Sequence, residues 1–433
     1  MRYIWLICLF FVAHFLKAQE ELSLFFHPDV IQSGQLQPAY ASQGTFNIGL
    51  GSTYFHLDAR GPRILSSTGT VNYLRDLAGG ITQNYLSSDA SFNVFDLGFV
   101  KDGWYIRAGY QMHSNGYFNF SPDLAKLFVS GNADEIGKTI EFGPSLYFRQ
   151  TSEAYIGASY LIDDYYRFGA NLKFISGALD ISTPETEFNL TTGEEFYEIT
   201  VENDYLVNTS YNSLEFSLRE ALPFSNPFQD NIGVSADFGF QYIADRFDIS
   251  ASLLDVGLIR WRSNPINYRS EGKYTFEGFT FDDATVDTLE VLLDTLQQVF
   301  DVGISFENYT TFTPIKIVIG GEYHLNTVHL GAVLYGEWKQ NRFLPAIGLN
   351  VRKRVWNFWD VGVSYAYKNS TYSNLGLSSV MNLGPVQLYA LSDNVVGIFL
   401  PWNRIKMNFR VGANINVGRA KKPKTISDTA ALY

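Results

Sequence analysis

Segments in which apolar and polar residues alternate strictly recur along this chain, and they constrain its fold more than any other feature. In the last of them, RIKMNFRVGANINVG at residues 404–418, every odd position from Ile405 to Val417 is apolar and the even positions are polar or glycine. A period of two residues is typical of a β-strand whose side chains face two different environments. The pattern also runs through residues 231–242 and 247–253, which a connection of hairpin length joins.

The length and number of these segments predict a membrane barrel. About 14 segments of about nine to twelve residues can be counted, which suits the roughly 9–11 residues of a tilted transmembrane strand. Strands of soluble sandwiches alternate in the same way, but they usually contain only about five or six residues. The predicted fold class is therefore all-β: a transmembrane antiparallel β-barrel of about 14 strands, within a range of about 12–16, with helical and loop insertions.

The first 18 residues predict export. They contain a positive charge at Arg2, a long apolar stretch and a small residue, Ala18, at the position expected for cleavage. This is the pattern of a secretory signal peptide, whereas Lys17 interrupts the apolar run that a retained membrane anchor would need. Cys8, the only cysteine, lies inside this segment, so the sequence predicts neither disulfides nor thiolate metal ligands.

The chain divides into a signal peptide, a short segment before the first strand, the barrel and a tail. The predicted bounds are 1–18 for the signal peptide, 19–42 for an N-terminal periplasmic or plug segment, 43–418 for the outer-membrane barrel and 419–433 for a polar C-terminal tail. Two insertions interrupt the barrel, at about residues 176–230 and 257–312. In the second, apolar residues at helical spacing between Val286 and Phe300 predict an amphipathic helix that packs on the rim, plugs the mouth or docks a partner. A shorter helix is predicted at about residues 121–131.

No set of residues predicts catalysis, a cofactor or a metal. The chain has no G-x-S-x-G, P-loop or G-x-G-x-x-G motif, and only adjacency supports enzymatic pairs at His113 with Ser114 and at His56 with Asp58. His324 and His329 flank a predicted turn, but a satisfied or solvent-facing pair is favoured over a metal site because the motif offers no third ligand. A net charge of −12 without a basic block argues against nucleic acid as a partner.

The alternation assigns each strand residue to one of two faces of the barrel wall. The residues predicted to face the lumen are Asp96, Arg107, Glu141, Arg167, Lys173, Asp237, Asp248, Glu337, Arg352, Lys406 and Arg410. Those predicted to face lipid are Phe238, Phe240, Met407, Phe409, Val411 and Ile415. The predicted aromatic girdle at the water interfaces contains Trp104, Trp338, Trp359 and Trp402. The lumen charges would either pair and hold the barrel rigid or tune the selectivity of a polar pathway.

Three stretches carry a resemblance to a known family: QLQPAY at residues 35–40, LREALPFSNPFQDNIGVSADFGFQY at 218–242 and NLGPVQLYALSDNVVG at 382–397. They resemble an uncharacterised family of outer-membrane barrels from Bacteroidota, a domain of unknown function that is itself similar to the PorP/SprF proteins of the type IX secretion system. The first stretch has Gln37 where Asn is usual in PorP/SprF-like proteins. The resemblance implies the cell outer membrane as the location.

The predicted function is that of a non-enzymatic outer-membrane barrel. The resemblance implies an accessory role in type IX protein secretion or surface-protein attachment, with secretion-machinery or surface proteins as partners beside the lipid bilayer. The alternative is an outer-membrane channel or uptake protein for small or apolar solutes. A barrel enzyme is the remote third hypothesis, because nucleophile, base and orienting group would have to converge.

Overall fold

Alternating side chains give the strands of this protein two distinct faces, and a computed structural model shows how those faces are used. The structure describes residues 22–42, 44–60, 84–121, 123–124, 135–141, 143–194, 198–211, 231–276, 302–339, 342–368, 371–396 and 405–418. The predicted signal peptide, C-terminal tail, amphipathic helix at 286–300 and Trp402 lie outside these residues, as does most of the shorter predicted helix.

The described strands belong to one antiparallel sheet. They are β1 (Phe46–Arg60), β2 (Asn84–Lys101), β3 (Trp104–Phe120), β4 (Thr139–Glu141), β5 (Ser145–Ile162), β6 (Tyr166–Thr192), β7 (Ile199–Tyr211), β8 (Ile232–Ile243), β9 (Phe247–Trp261), β10 (Ile266–Phe276), β11 (Gly303–Ser305), β12 (Tyr309–Phe312), β13 (Ile315–Leu325), β14 (Val328–Lys339), β15 (Arg342–Trp356), β16 (Trp359–Lys368), β17 (Thr371–Leu383), β18 (Val386–Ser392) and β19 (Ile405–Val417). Two short 3-10 helices, Ser23–Phe26 and Ile31–Gln35, precede β1. None of the helical segments in the described part of the chain has the length and apolar character of a membrane-spanning helix.

Closure of the sheet confirms the predicted barrel and its strand number. The wall contains 14 strands, in the order β1, β2, β3, β5, β6, β8, β9 and then β13 to β19. It closes because β1 pairs on both sides: Phe46 lies opposite Phe99 of β2 and opposite Val417 of β19. A closed wall leaves no exposed strand edge, so every wall strand has a hydrogen-bonded neighbour on each side.

The two rims of the barrel differ in their connections. The start of β1, the end of β19 and six short turns lie at one rim, called the short-turn rim: 102–103, 163–165, 244–246, 326–327, 357–358 and 384–385. Asp102 and Gly103 have φ angles of 49° and 82°, the left-handed conformation that a tight hairpin turn requires. β1, β3, β6 and β9 run towards the opposite rim, called the long-loop rim, and long segments of the sequence separate each of them from the next wall strand.

The two predicted insertions continue the sheet beyond the long-loop rim. β6 contains 27 residues and pairs with β8 near its start but with β7 and β4 further along. β7 pairs in turn with β10, and β10 with β11. In this extension the hydroxyl of Tyr205 donates to the carbonyl oxygen of Pro144 at 2.7 Å, and burial raises the pKa of Tyr205. The described parts of the insertions thus lengthen the wall.

The barrel wall is apolar outside and polar inside. On β19, Phe409 and Val411 are 38% and 46% exposed, whereas Asn408, Arg410 and Asn414 are buried. Other exposed apolar residues of the wall include Phe92, Phe99, Ile106, Phe168, Phe174, Leu334, Leu349, Val363 and Leu377. A water-soluble barrel would show the opposite arrangement, whereas this one is expected where the wall faces lipid.

Candidate functional site: a charged chamber above an N-terminal plug

The lumen is occupied by residues 22–42, which are called the plug. Most of its side chains are buried, and Phe25, Phe26 and Val30 are at most 1% exposed. They form one apolar cluster with inward-facing wall residues that include Val318 and Tyr389. The sequence placed a periplasmic or plug segment at residues 19–42, and the described part of that segment lies inside the barrel.

A buried carboxylate holds the first residues of the plug. The backbone N–H groups of Leu22 and Ser23 donate to the two oxygens of Asp393, each at 2.9 Å. Asp393 also forms an ion pair of 2.9 Å with Lys368, and both side chains are about 1% exposed. Because an unpaired buried charge is costly, this pair fixes Asp393 in place and, with it, the start of the plug.

Two further wall contacts hold the middle and the end of the plug. The side-chain amide of Gln32 donates to Asp96 at 2.9 Å and to Asn414 at 3.0 Å. Arg107 donates to the carbonyl oxygen of Pro38 at 2.7 Å. Such hydrogen bonds contribute roughly 0.5–1.5 kcal/mol each when neutral and about 1.5–3 kcal/mol when one partner is charged. The plug therefore lies in the lumen through side-chain contacts, without belonging to the sheet.

A cavity of about 120 Å³ lies on the plug, on the side of the long-loop rim; it is called the chamber. Leu24, Gln35 and Leu36 of the plug form its floor. Its walls contain charged residues of both signs: Asp89, Arg149, Glu153, Lys173, Asp255, Lys316, Glu337 and Arg410. Tyr54, Tyr147, Leu254 and Ile259 add apolar surface. The chamber thus combines an apolar floor with a polar, charge-balanced wall.

One group of charges crosses four strands at the chamber wall. Lys173 on β6 pairs with Asp237 on β8 at 2.9 Å and also with Asp255 on β9, and Lys316 on β13 pairs with Asp255 at 3.0 Å. Asp255 has a φ angle of 57°, and the register of β8 against β9 shifts beside it. This β-bulge turns the Asp255 carboxylate towards the lysines, because a bulge re-aims a side chain within a strand.

A second charged group of the chamber is held rigidly against aromatic rings. Arg149 donates to Asp180 at 2.8 Å and to Thr311 at 2.7 Å, and its guanidinium lies 5.3 Å from the ring centre of Trp261. On the other side, Glu153 accepts a hydrogen bond of 3.0 Å from Gln111. The chamber therefore offers preorganised positive and negative groups to a molecule inside it.

The structure brings many of the residues predicted to face the lumen into the interior. Buried there are Asp96, Arg107, Arg167, Lys173, Asp237, Glu337, Arg352, Lys406 and Arg410. Of these, Lys173, Glu337 and Arg410 line the chamber. Asp248 is half-buried at the short-turn rim. Glu141 lies elsewhere: it is exposed on β4, in the extension, so its predicted lumen position is wrong because β4 is not a wall strand.

The residues predicted to face lipid alternate along the strands with the buried residues. Phe238, Phe409 and Val411 are exposed, and Phe240, Met407 and Ile415 are partly exposed. Among the predicted girdle residues, Trp104 is 48% exposed at the short-turn end of β3, and Trp338 is 52% exposed at the long-loop end of β14. Trp359 is half-buried and donates to Ser379 at 2.9 Å. Trp104 and Trp338 thus lie at opposite rims.

Sequence reasoning missed Asp255 and Lys316 as chamber residues. Asp255 follows the adjacent residues Leu253 and Leu254, which break the strict alternation of β9. Two neighbouring apolar residues in an otherwise alternating strand are a usable signal for a bulge. Lys316 belongs to β13, and only the fold places it beside Asp255.

Several solved barrels are similar in overall shape. The toluene transporter TbuX of Ralstonia pickettii matches with a TM-score of 0.42 at 10% identity, over 90% of this chain and 94% of that chain. The toluene transporter TodX of Pseudomonas putida matches with a TM-score of 0.38 at 12% identity, over 88% and 92%. A FadL homologue of Pseudomonas aeruginosa matches with a TM-score of 0.41 at 10% identity, over 93% and 97%.

Comparison with curated protein sequences gives no match. A family model, in contrast, matches residues 38–393, which is most of the chain and includes all wall strands except β19. This chain therefore belongs to the family of unknown function DUF5723.

Proposed function

We propose that this protein is a non-enzymatic outer-membrane channel that takes up small solutes with charged groups, and that the plug closes it. The observation that carries the proposal is the position of the chamber: it lies directly on Leu24, Gln35 and Leu36 of the plug. A solute that enters from the long-loop rim would reach the chamber first. The plug would then have to move before the solute could leave at the other rim.

Membrane insertion follows from the two surfaces of the wall. Exposed apolar side chains cover its outside, and in water they would favour aggregation. In barrels of the outer membrane, short turns face the periplasm and long connections face the exterior. We therefore assign the short-turn rim to the periplasm and the long-loop rim, with its extension, to the cell surface.

The chamber favours a small solute that carries both signs of charge and some apolar surface. Its partly exposed groups include Lys316, at 19% side-chain exposure, and the carboxylates Asp255 and Glu153, at 18% and 13%. A purely apolar solute would displace water from the charged groups of the wall without replacing its hydrogen bonds, which costs free energy. A zwitterion with an apolar side chain, such as the free amino acid leucine, matches the lining better.

Swelling of proteoliposomes tests this proposal. We expect leucine to enter faster than the uncharged sugar arabinose, relative to liposomes without protein. The double variant Glu153→Gln and Lys316→Gln should reduce leucine entry to the arabinose rate. Lys273→Gln, on the exposed β10 strand, is the matched control and should change nothing. Equal entry of leucine and arabinose through the native protein would contradict the proposal.

The accessory role in type IX secretion, which the resemblance to PorP/SprF-like proteins implies, is a second candidate. The extension supports it, because β7, β10 and β11 lie beyond the rim, where an exported protein could bind. Affinity purification from native membranes, with and without β7, β10 and β11, would test it. Recovery of secretion-machinery proteins only with the extension present would support this role, and their absence from both samples would reject it.

A further inference from the structure

A cluster of potential metal ligands lies at the short-turn end of β13 and β14, far along the wall from the chamber. His324 and His329 are directly opposite each other in the β13–β14 register, and their Nδ1 atoms are 2.6 Å apart. Glu322 precedes His324 by two residues, so its side chain is on the same face of β13. One carboxylate oxygen of Glu322 and one nitrogen of each histidine lie within 4.8 Å of one another.

Asp248 orients one of the two imidazoles. Its carboxylate is 3.0 Å from Nε2 of His324, which places the proton of a neutral His324 ring on Nε2. The lone pair is then on Nδ1, the nitrogen that faces His329. A carboxylate bound to the outer nitrogen of a histidine is the usual support of metal-ligating histidines, because it fixes both tautomer and ring orientation.

Glu322 supplies an independent indication of a cation. Its side chain is 7% exposed, and Oε2 accepts a hydrogen bond of 2.8 Å from Arg352. The second oxygen, Oε1, is buried and has no hydrogen-bond partner among the described residues. An unsatisfied buried acceptor costs roughly 1–3 kcal/mol, more when charged, so a ligand at this oxygen would relieve an existing penalty.

We propose that Glu322, His324 and His329 bind one divalent transition metal ion, with Asp248 as the supporting carboxylate. Two imidazole nitrogens and one carboxylate, with a fourth position open to water, form a donor set that suits zinc. Tetrahedral zinc with bonds of about 2.0–2.1 Å keeps its two nitrogens about 3.3 Å apart, so the imidazoles would separate by less than about 1 Å. The charges also fit: Asp248 and Glu322 outnumber Arg352, which binds only one oxygen of Glu322.

Metal binding would stabilise this end of the lumen. A Cβ atom on Gly331 would meet both the ring of Phe26 and the side chain of Glu322, which places the plug beside the proposed ligands. Since an ion that binds only the folded state stabilises it by mass action, zinc should raise the unfolding temperature of the barrel with its plug in place.

Cobalt titration of the full-length protein tests the site. The purified protein in detergent is stripped with a chelator and titrated with Co²⁺, whose ligand-field absorption reports tetrahedral nitrogen and oxygen ligation. We expect one Co²⁺ per chain, displaced by Zn²⁺. The double variant His324→Gln and His329→Gln should lose this signal, and Asp248→Asn should weaken affinity about 10- to 100-fold. His113→Gln is the matched control, because this lumen histidine lies outside the cluster.

Two results would overturn the proposal. One is the absence of stoichiometric Co²⁺ binding by the native protein, which would leave the two histidines as a hydrogen-bonded pair. The other is equal binding by the native protein and the double variant. Heat-modifiable gel migration of each variant shows that its barrel is folded, so a lost signal reports a lost ligand.

Discussion

Gly169 and Gly239 lie directly opposite each other on β6 and β8, and the plug packs against both of them. A Cβ atom at Gly169 would overlap the carbonyl oxygen of Pro38, and one at Gly239 would overlap the side chain of Gln37. These two glycines therefore let the plug approach the wall backbone. Glycine in a strand often marks such a close approach.

Gly169→Ala should loosen the plug. The added methyl group meets backbone atoms, which cannot rotate away. We therefore expect the free energy of unfolding to fall by about 1–3 kcal/mol, as at other overpacked sites. Planar bilayer recordings should show more frequent opening than in the native protein. Gly272→Ala is the matched control, because a Cβ atom there meets nothing within 4 Å. Native-like recordings from Gly169→Ala would show that the plug does not depend on this contact.

Asp393→Ala should be the most destabilising single change at the plug. It removes the acceptor of the Leu22 and Ser23 backbone and leaves Lys368 buried without its 2.9 Å partner. Breaking a buried ion pair costs about 3–5 kcal/mol, whereas replacing both members by apolar residues is often close to neutral. Urea unfolding should therefore show a smaller loss of free energy of unfolding for the double variant Lys368→Met, Asp393→Leu than for Asp393→Ala. If Asp393→Ala lost less free energy of unfolding than the double variant, the ion pair would not be what holds the plug.

Neighbouring residues of β19 should respond in opposite ways to substitution. Val411 is 46% exposed on the outer face, so Val411→Arg should cost about 2–4 kcal/mol near the middle of the membrane. Arg410 lies inside, donates to Ser52 at 3.1 Å and borders the chamber. Arg410→Ala should cost less than Val411→Arg, since it loses the hydrogen bonds to Ser52 and Asn93 but places no charge in lipid. Folding into lipid vesicles measures the free energy of folding of both variants. A larger loss for Arg410→Ala than for Val411→Arg would show that the outer and inner faces of the wall are assigned the wrong way round.

Glu153→Gln alone should change the charge preference of the chamber. It removes a negative charge and leaves Lys316, Lys173 and Arg149 in the lining. The reversal potential in a salt gradient should therefore shift towards anion preference. The exposed Glu202, on β7, provides the control substitution Glu202→Gln. An unchanged reversal potential in Glu153→Gln would place the permeation path outside the chamber.

Local alternation predicts which face a wall residue occupies, but not what it meets inside. The assignments of Arg410 and Val411 need only their own strand, because a period of two defines both faces. The contact between Ser23 and Asp393 joins residues 370 positions apart, and nothing local encodes it. Glu141 was misplaced for a related reason: strand pairing, and not the side-chain pattern, decides whether a short strand belongs to the wall.

The most direct test of plug closure is to lock the plug in place. The hydroxyl oxygens of Ser23 in the plug and Ser364 on β16 are 3.2 Å apart, so cysteines at both positions can form a disulfide. Cys8, in the predicted signal peptide, is the only native cysteine. We predict that leucine entry into proteoliposomes stops when the Ser23→Cys, Ser364→Cys variant is oxidised and recovers on reduction. Entry at the native rate with the disulfide formed would contradict the central claim that the plug must move for solutes to pass.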